Sequence, residues 1–241
     1  MTAREILAPQ ILAPDGRLRV GAFPGSPVSM ARDRGSGETH GLAIDLGKAL
    51  ATRLGVAFVQ VDYQRIAEVL AGMKAGDVDF TISNSTPARA VDVDFSQTLI
   101  SLELGYLVPA ASPIATMSDL DQFGLRAGVT QGSTSQGTLP NILPKAIVVP
   151  APNASRAVEM LERRELDLFA TNKPTLFEMA DRMPGSRVLD GRWGVEHIAI
   201  AIPKGRGTAM EYLRRFVEEA QASGLFAEAV ERAGLRGVVK A

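Results

Sequence analysis

Gly76-Asp77-Val78-Asp79-Phe80-Thr81-Ile82-Ser83-Asn84-Ser85-Thr86-Pro87-Ala88-Arg89-Ala90-Val91-Asp92-Val93-Asp94-Phe95-Ser96 is the stretch on which the reading of this chain turns. Gly76 closes an amphipathic helix, and Val78–Ile82 predicts a short apolar strand. Four small polar residues follow, Ser83 to Thr86, then a proline suited to the first turn of a helix. A strand that ends in hydroxyls and backbone amides ahead of a helix start suits an anion. Arg89 adds a planar fork of donors that matches a carboxylate. The spacing therefore predicts a pocket for a small anion, against the plainer alternative of a capped turn with a solvated arginine.

Upstream, Leu18–Phe23 predicts a first strand, followed by the turn-rich loop Pro24–Pro27. Residues 1–16 are expected to be irregular, because Pro9 and Pro14 interrupt any helix. Ala43, Leu46, Leu50 and Leu54 repeat at close to 3.6 residues, and Gly55 ends that helix. Val56–Val61 is rich in β-branched residues and predicts a strand. Ile66, Val69, Leu70 and Met73 then form one apolar helical face. Strand and helix in alternation predict an α/β architecture around a mostly parallel sheet. Ligands on such sheets bind beyond the carboxyl ends of the strands, where the Phe23–Pro27 loop and the Ser83–Arg89 turn both lie.

Downstream, Leu102–Val108 predicts a strand, and the pattern begins again after Leu120. Leu125–Thr130 is a strand leading to the hydroxyl-rich turn Gln131–Gly137, and Ala146–Pro150 is another. Ala154, Ala157, Val158 and Leu161 form a helical face, and Glu165–Thr171 enters a strand through Asp167 much as Gly76–Thr81 does through Asp79. This rhyme, with a hydroxyl-rich turn in each half, suggests two α/β lobes with a ligand cleft between them. His197–Pro203 is an apolar strand. Two amphipathic helices, one carrying Leu213, Phe216, Val217 and Ala220, close the chain as packing elements.

The composition removes several classes of function. The 241 residues can bury a sizeable core, and 46% hydrophobic with 22% charged residues is ordinary for a soluble globular protein. A net charge of −1 leaves no footprint for nucleic acid or anionic membrane. No cysteine is present, which excludes disulfides, thiolate nucleophiles and cysteine metal sites. His40 and His197 form no metal motif, and no cofactor is called for. No apolar run is long enough for a transmembrane helix. The N-terminus has no basic segment followed by an apolar one, which fits either a cytosolic chain or one whose secretory signal has been removed.

These residues carry a resemblance. Gly76-Asp77-Val78-Asp79, then Thr86-Pro87-Ala88-Arg89, then Val93-Asp94-Phe95-Ser96 is similar to the signature of the solute-binding proteins of polar amino-acid ABC transporters. Gly41–Leu46 resembles the first-helix signature of that family, Gly128–Thr134 its second-lobe glycine and hydroxyl turn, and Ala199–Gly205 its returning strand. The five motifs stand in the family's order, and the resemblance runs from Leu18 to about Gly234.

The resemblance implies a type II periplasmic-binding-protein fold of two lobes joined by two crossing strands. Lobe one is expected over residues 1–107 and 204–241, lobe two over 108–203. It further implies a monomer, placed in the periplasm, that closes on a ligand and docks on an ABC permease in the membrane. Carried over by motif, Arg89 takes the ligand carboxylate, with Ser83, Asn84, Ser85 and Thr86 assisting. Ser133 and Thr134 offer donors from the second lobe, and Phe23 and Tyr63 are implied as pocket walls.

In the resemblance, an aspartate ends the second-lobe strand and pairs with an α-ammonium; here Asn172 stands at that place. An amide cannot neutralise a buried ammonium, which favours a carboxylate ligand lacking one, such as an organic acid or acylated amino acid. The alternative is that Glu196 or Glu103 supplies the missing charge. A dehydratase acting on cyclohexadienyl acids is the competing reading on the same fold. It needs a general acid in the cleft, for which Glu103, Glu196 and His197 are the candidates.

Overall fold

The computed structural model describes residues 3–32 and 36–239. The chain packs as two compact units. One runs to Ile100 and resumes over His197–Leu235; the other is Ser101–Glu196 with the residues from Arg236.

The first unit begins with α1 (Ala3–Leu12), β1 (Arg17–Ala22), β2 (Ala31–Arg32), β3 (Thr39–His40), α2 (Leu42–Leu54), β4 (Ala57–Asp62), α3 (Ile66–Ala75) and β5 (Thr81–Asn84). β6 (Val93–Val108) then carries the chain into the second unit. There follow β7 (Arg126–Thr130), α4 (Thr134–Ile142), β8 (Ile147–Ala151), α5 (Ala154–Glu162), β9 (Leu168–Asn172), α6 (Lys173–Ala180) and β10 (Arg187–Val188). β11 (Gly194–Pro203) returns to the first unit, which ends with α7 (Met210–Ala222) and α8 (Leu225–Arg232). The expected limits, 107/108 and 203/204, mark the ends of β6 and β11, whereas the units divide inside those strands.

Each unit has a parallel centre with antiparallel strands added. In the first, β1 pairs parallel with β4, and Val20 bridges parallel to Phe80 on the approach to β5. β11 then pairs antiparallel with β5, setting Ser83 opposite Ala199 and Asn84 opposite Ile198. In the second, β7 lies parallel between β8 and β9, and β6 runs antiparallel to β9 with Leu104 opposite Asn172. Gly21 is required where the first sheet meets α3, because a Cβ there would stand 2.6 Å from Val69 Cγ1. The helices cover these sheets with single apolar faces, such as Ala154, Ala157, Val158 and Leu161 of α5.

The rhyme between the halves has a structural content. Asp79 is 0% exposed, and its carboxylate accepts from Arg19 N (3.1 Å), Arg19 Nε (2.7 Å) and Arg19 Nη2 (2.9 Å). Arg206 Nη1 adds a contact at 2.8 Å. Asp167 repeats the arrangement with Arg126: N at 2.8 Å, Nε at 3.0 Å and Nη2 at 2.7 Å. In both, the aspartate amide donates back to the arginine carbonyl, at 2.8 and 2.9 Å. Each unit thus locks the entry of one strand to an earlier parallel strand, β1 in the first and β7 in the second, by the same reciprocal clamp.

The helix stops before the two clamps also match, except in one residue. Gly76, φ 87°, ends α3 with its amide on Met73 O and the Asp77 amide on Gly72 O. After α5, Arg164 takes the same place at φ 57°, with its amide on Leu161 O and the Glu165 amide on Met160 O. Left-handed backbone costs a side-chain-bearing residue about 1–2 kcal/mol, against about 0.4–1 kcal/mol for the added unfolded-state freedom of glycine. Arg164→Gly is therefore expected to stabilise by about 0.5–1 kcal/mol, seen as a rise of about 1–4 °C in a thermal melt. An unchanged or lower melting temperature would show that Arg164 carries no strain.

α1 corrects the expectation of an irregular N-terminus. Pro9 lies inside this helix, where it forfeits one donor. Ala8 and Leu12 are fully buried, and the helix packs against α7. Tertiary burial outweighs the proline cost here.

Candidate functional site

The first-unit group stands at the end of β5. Ser83 is buried, and Arg89 Nη1 donates to its hydroxyl at 2.8 Å and to the Asn84 carbonyl at 3.4 Å. Arg89 is placed by a single 3-10 turn, Arg89–Val91. The Thr86 hydroxyl accepts from its amide at 3.3 Å, and Thr86 O accepts from Ala90 N at 2.9 Å. The small polar residues after the strand therefore fold the turn and orient the guanidinium together. β11 fastens the turn from the other side: His197 N donates to Asn84 Oδ1 (3.1 Å), and Ser85 N donates to His197 O (2.8 Å). That bond commits the Ser85 amide to the fold. Among the described residues, no hydrogen bond to protein engages the Ser85 hydroxyl or the Thr86 amide.

Phe23 and Tyr63 are placed as packing residues. Both lie half-buried on the first-unit core with Ile66, Val69, Met73 and Val78. The Tyr63 ring lies over Gly72, where a Cβ would fall 2.1 Å from its hydroxyl. Burial, with the Asp77 charge, pushes the Tyr63 phenol above its ordinary value. Among the described residues, no hydrogen bond or ring contact joins either residue to the Arg89 turn.

The second-unit group gathers at the starts of two helices. Ser133 caps α4, its hydroxyl accepting from Gln136 N at 3.3 Å, while the Gln136 side chain accepts from Gly132 N at 2.7 Å. Asn172 caps α6 by accepting from Thr175 N at 3.1 Å. Its amide nitrogen donates to Glu196 Oε2 at 3.1 Å, and the Thr134 hydroxyl donates to Glu196 Oε1 at 2.9 Å. Thr134, Asn172 and Glu196 thus form one cluster around a carboxylate with 7% exposure. Asn172 lies on β9 and Glu196 on β11, and β6 stands between these two strands in the sheet.

Glu103 stands apart from this cluster in its bonding. Lys173 Nζ donates to it at 2.5 Å and Arg192 Nη1 at 3.3 Å. The Lys173 hydrogen bond holds the Glu103 carboxyl below its usual range. It is thereby committed to a salt link and unsuited to donate a proton at neutral pH. His197 is exposed, its backbone engaged with Asn84 and Ser85.

A separate groove of about 740 Å³ opens in the second unit over Ile114, Leu161, Leu166 and Met183. None of its lining residues belongs to either group, so concavity alone does not mark the candidate residues.

Compared with known proteins, residues 18–234 match the model of the bacterial extracellular solute-binding proteins, family 3. The chain belongs to that family. This family-3 protein is 26% identical over 200 residues to the glutamine-binding protein of Geobacillus stearothermophilus, a match covering 81% of this chain and 74% of that one. It is also similar to the structure of an ancestral arginine-binding protein bound to arginine, with 26% identity, a TM-score of 0.80, and coverage of 90% and 97%. A third likeness is to an ancestral amino acid-binding protein described as a precursor of cyclohexadienyl dehydratase. There the identity is 24%, the TM-score 0.81 and the coverage 96% and 99%, a likeness of fold. The family-3 protein is accordingly a two-lobed periplasmic-binding-protein fold. No helix among its described residues is long and apolar enough to cross a membrane.

Proposed function

We propose that the chain is the capture component of an ABC importer for amino acids or close derivatives, working outside the cytoplasmic membrane and delivering its ligand to a permease. The observation that carries this is the orientation of Arg89 by Ser83 Oγ and the Asn84 carbonyl at a strand end rich in donors. A guanidinium oriented in this way is a planar group of donors whose geometry matches a carboxylate. Ser83, Asn84, Ser85 and Thr86 form the turn around it, and Ser133, Thr134 and Asn172 are the ligand residues proposed in the second unit. The component works as a monomer.

A thermal-shift panel of L-amino acids and small organic acids tests this. A ligand at about 1,000 times its dissociation constant stabilises by about 4 kcal/mol, or roughly 8–16 °C for a chain of this size. A panel in which no carboxylate raises the melting temperature would overturn the reading. Of the acids named for the dehydratase alternative, Glu103 is tied to Lys173 and His197 is exposed, which leaves the buried Glu196. Incubation with prephenate or arogenate is expected to give no product.

A further inference from the structure

The groove of about 740 Å³ in the second unit opens at the end of the sheet remote from Ser133, Thr134 and Asn172. β7 and β9 run parallel. Leu125, Arg126, Leu166 and Asp167 line the groove and stand at or just before the amino ends of these strands. The three candidate residues follow or close the carboxyl ends, and a five-residue strand spans roughly 16 Å. The buried side chains of Ile114, Leu161, Leu166 and Met183 give the groove an apolar floor. Its rim is charged, and most of that charge is committed. Asp167 is clamped by Arg126, and Asp119 accepts from Ala115 N, Thr116 N and the Thr116 hydroxyl. Glu162 and Arg164 are left, both exposed on the rim. Among the described residues, neither side chain makes a hydrogen bond or an ion pair.

Arg164 tells what the groove takes. It holds the left-handed place, φ 57°, that Gly76 fills after α3, so a side chain stands where glycine would be unstrained. Strain of this kind clusters at ligand-holding positions. Here it sets the uncommitted cation of the rim beside an apolar cavity. We propose that the groove is a second binding site, distinct from the Arg89 turn, for an amphipathic monocarboxylate. The carboxylate pairs with Arg164, and an alkyl or aryl body lies on Ile114, Leu161, Leu166 and Met183. A guanidinium matches a carboxylate in plane and in charge, and apolar area removed from water supplies the rest of the affinity. Glu162, two residues before Arg164 on the same rim, opposes a second negative charge. That selects a single carboxylate over a dianionic phosphate.

Titration calorimetry with sodium octanoate tests the site. Three controls accompany it: acetate, which has the head alone, octan-1-ol, which has the body alone, and octylammonium, which reverses the charge. Octanoate is expected to saturate the wild type and to bind about tenfold or more tightly than any control. Arg164→Gln, which removes the charge, is expected to weaken octanoate about tenfold, and Arg164→Lys to recover part of the loss. Ala111→Trp places bulk at an exposed position on the groove and is expected to weaken octanoate by about as much while Arg164 stays in place. Positions 111 and 164 are both exposed, so neither substitution is expected to lower the melting temperature. Octanoate also offers its carboxylate to the Arg89 turn, and Arg89→Ala separates the two sites. That variant is expected to keep octanoate affinity within about threefold of the wild type. The proposal is overturned if octanoate shows no saturable binding, or if octylammonium binds as tightly. It is equally overturned if binding disappears in Arg89→Ala and survives in Arg164→Gln and Ala111→Trp. None of these outcomes depends on whether an amino acid binds at the Arg89 turn, so the two readings stand or fall separately.

Discussion

Asp79→Asn is expected to destabilise the protein by about 3 kcal/mol, lowering its melting temperature by roughly 6–12 °C. The substitution keeps the shape of the side chain and removes its charge, leaving Arg19 and Arg206 facing a neutral amide. Breaking a buried ion pair by neutralising one partner costs about 3–5 kcal/mol. The low end applies because the two guanidinium side chains keep 22% and 19% of their surface exposed, while Asp79 has none. Asp167→Asn is the internal control. Its clamp with Arg126 has the same geometry but lies at 39% and 33% exposure, where solvent screening reduces such a pair to about 1 kcal/mol or less. Unfolding in urea at pH 7 would measure both. Equal effects from the two variants would show that burial does not set the strength of the clamps.

The same carboxylate gives a pH dependence of known sign. Burial pushes the Asp79 carboxyl upward, but the hydrogen bonds from Arg19 and Arg206 more than offset it, and the group is held below its usual value. A group whose folded value is depressed contributes stability above the unfolded value, about 3.9 for aspartate. That contribution is lost as pH falls below it and through the folded value. The wild type is therefore expected to keep this part of its stability at pH 5 and to lose it in the more acid range below about pH 4. Asp79→Asn lacks that component, so the gap between variant and wild type should narrow on acidification.

How much of this was legible in the residues depends on the distance between partners. α2, α3 and α5 announced themselves by apolar periodicity, and Gly55 and Gly76 marked two stops through their left-handed backbones, at φ 68° and 87°. α4 and α6 did not. α4 buries little beyond Ser135 and Leu139 and contains Gly137 and Pro140, so it shows no stripe. Its signal was local: Ser133, three residues before Gln136, is a helix start. Asn172-Lys173-Pro174 is another, an N-cap followed by a proline in the first turn. Both were read for their hydrogen-bonding groups as ligand residues, and each proves to spend one of those groups on its own helix.

The partners of Asp79 and Asp167 were invisible for a different reason. Arg19 and Arg206 lie 60 and 127 residues from Asp79, and Arg126 lies 41 from Asp167; nothing in a single sequence pairs an arginine with an aspartate at that range. Glu196, 62 residues from Thr134 and 24 from Asn172, was named in the sequence as one of two acids for the missing charge, but nothing there set it above Glu103. Without that geometry, Asn172 read as the loss of a charge. In the folded unit it reads as the companion of a charge that comes from another strand.

Arg89→Ala is expected to weaken binding of the ligand by roughly ten- to a hundredfold. A charge-assisted hydrogen bond contributes about 1.5–3 kcal/mol, and each 1.4 kcal/mol is a factor of ten in affinity. The effect should fall on binding with little on stability, because Arg89 sits on a one-turn helix whose three residues are none of them buried. Arg89→Lys should recover only part of the loss. An ammonium keeps the charge but cannot present the planar pair of donors, and it cannot reproduce the fork anchored on Ser83 Oγ and the Asn84 carbonyl. Ser83→Ala, which removes the anchor and leaves the charge, should cost less than Arg89→Ala and act by loosening the arginine. This order, Ala at 89 worst, Lys at 89 intermediate and Ala at 83 mildest, belongs to a guanidinium that must be held in a plane. A lysine variant that binds as tightly as the wild type would mean that the site reads charge alone, and an alanine variant that does so would place the ligand carboxylate elsewhere.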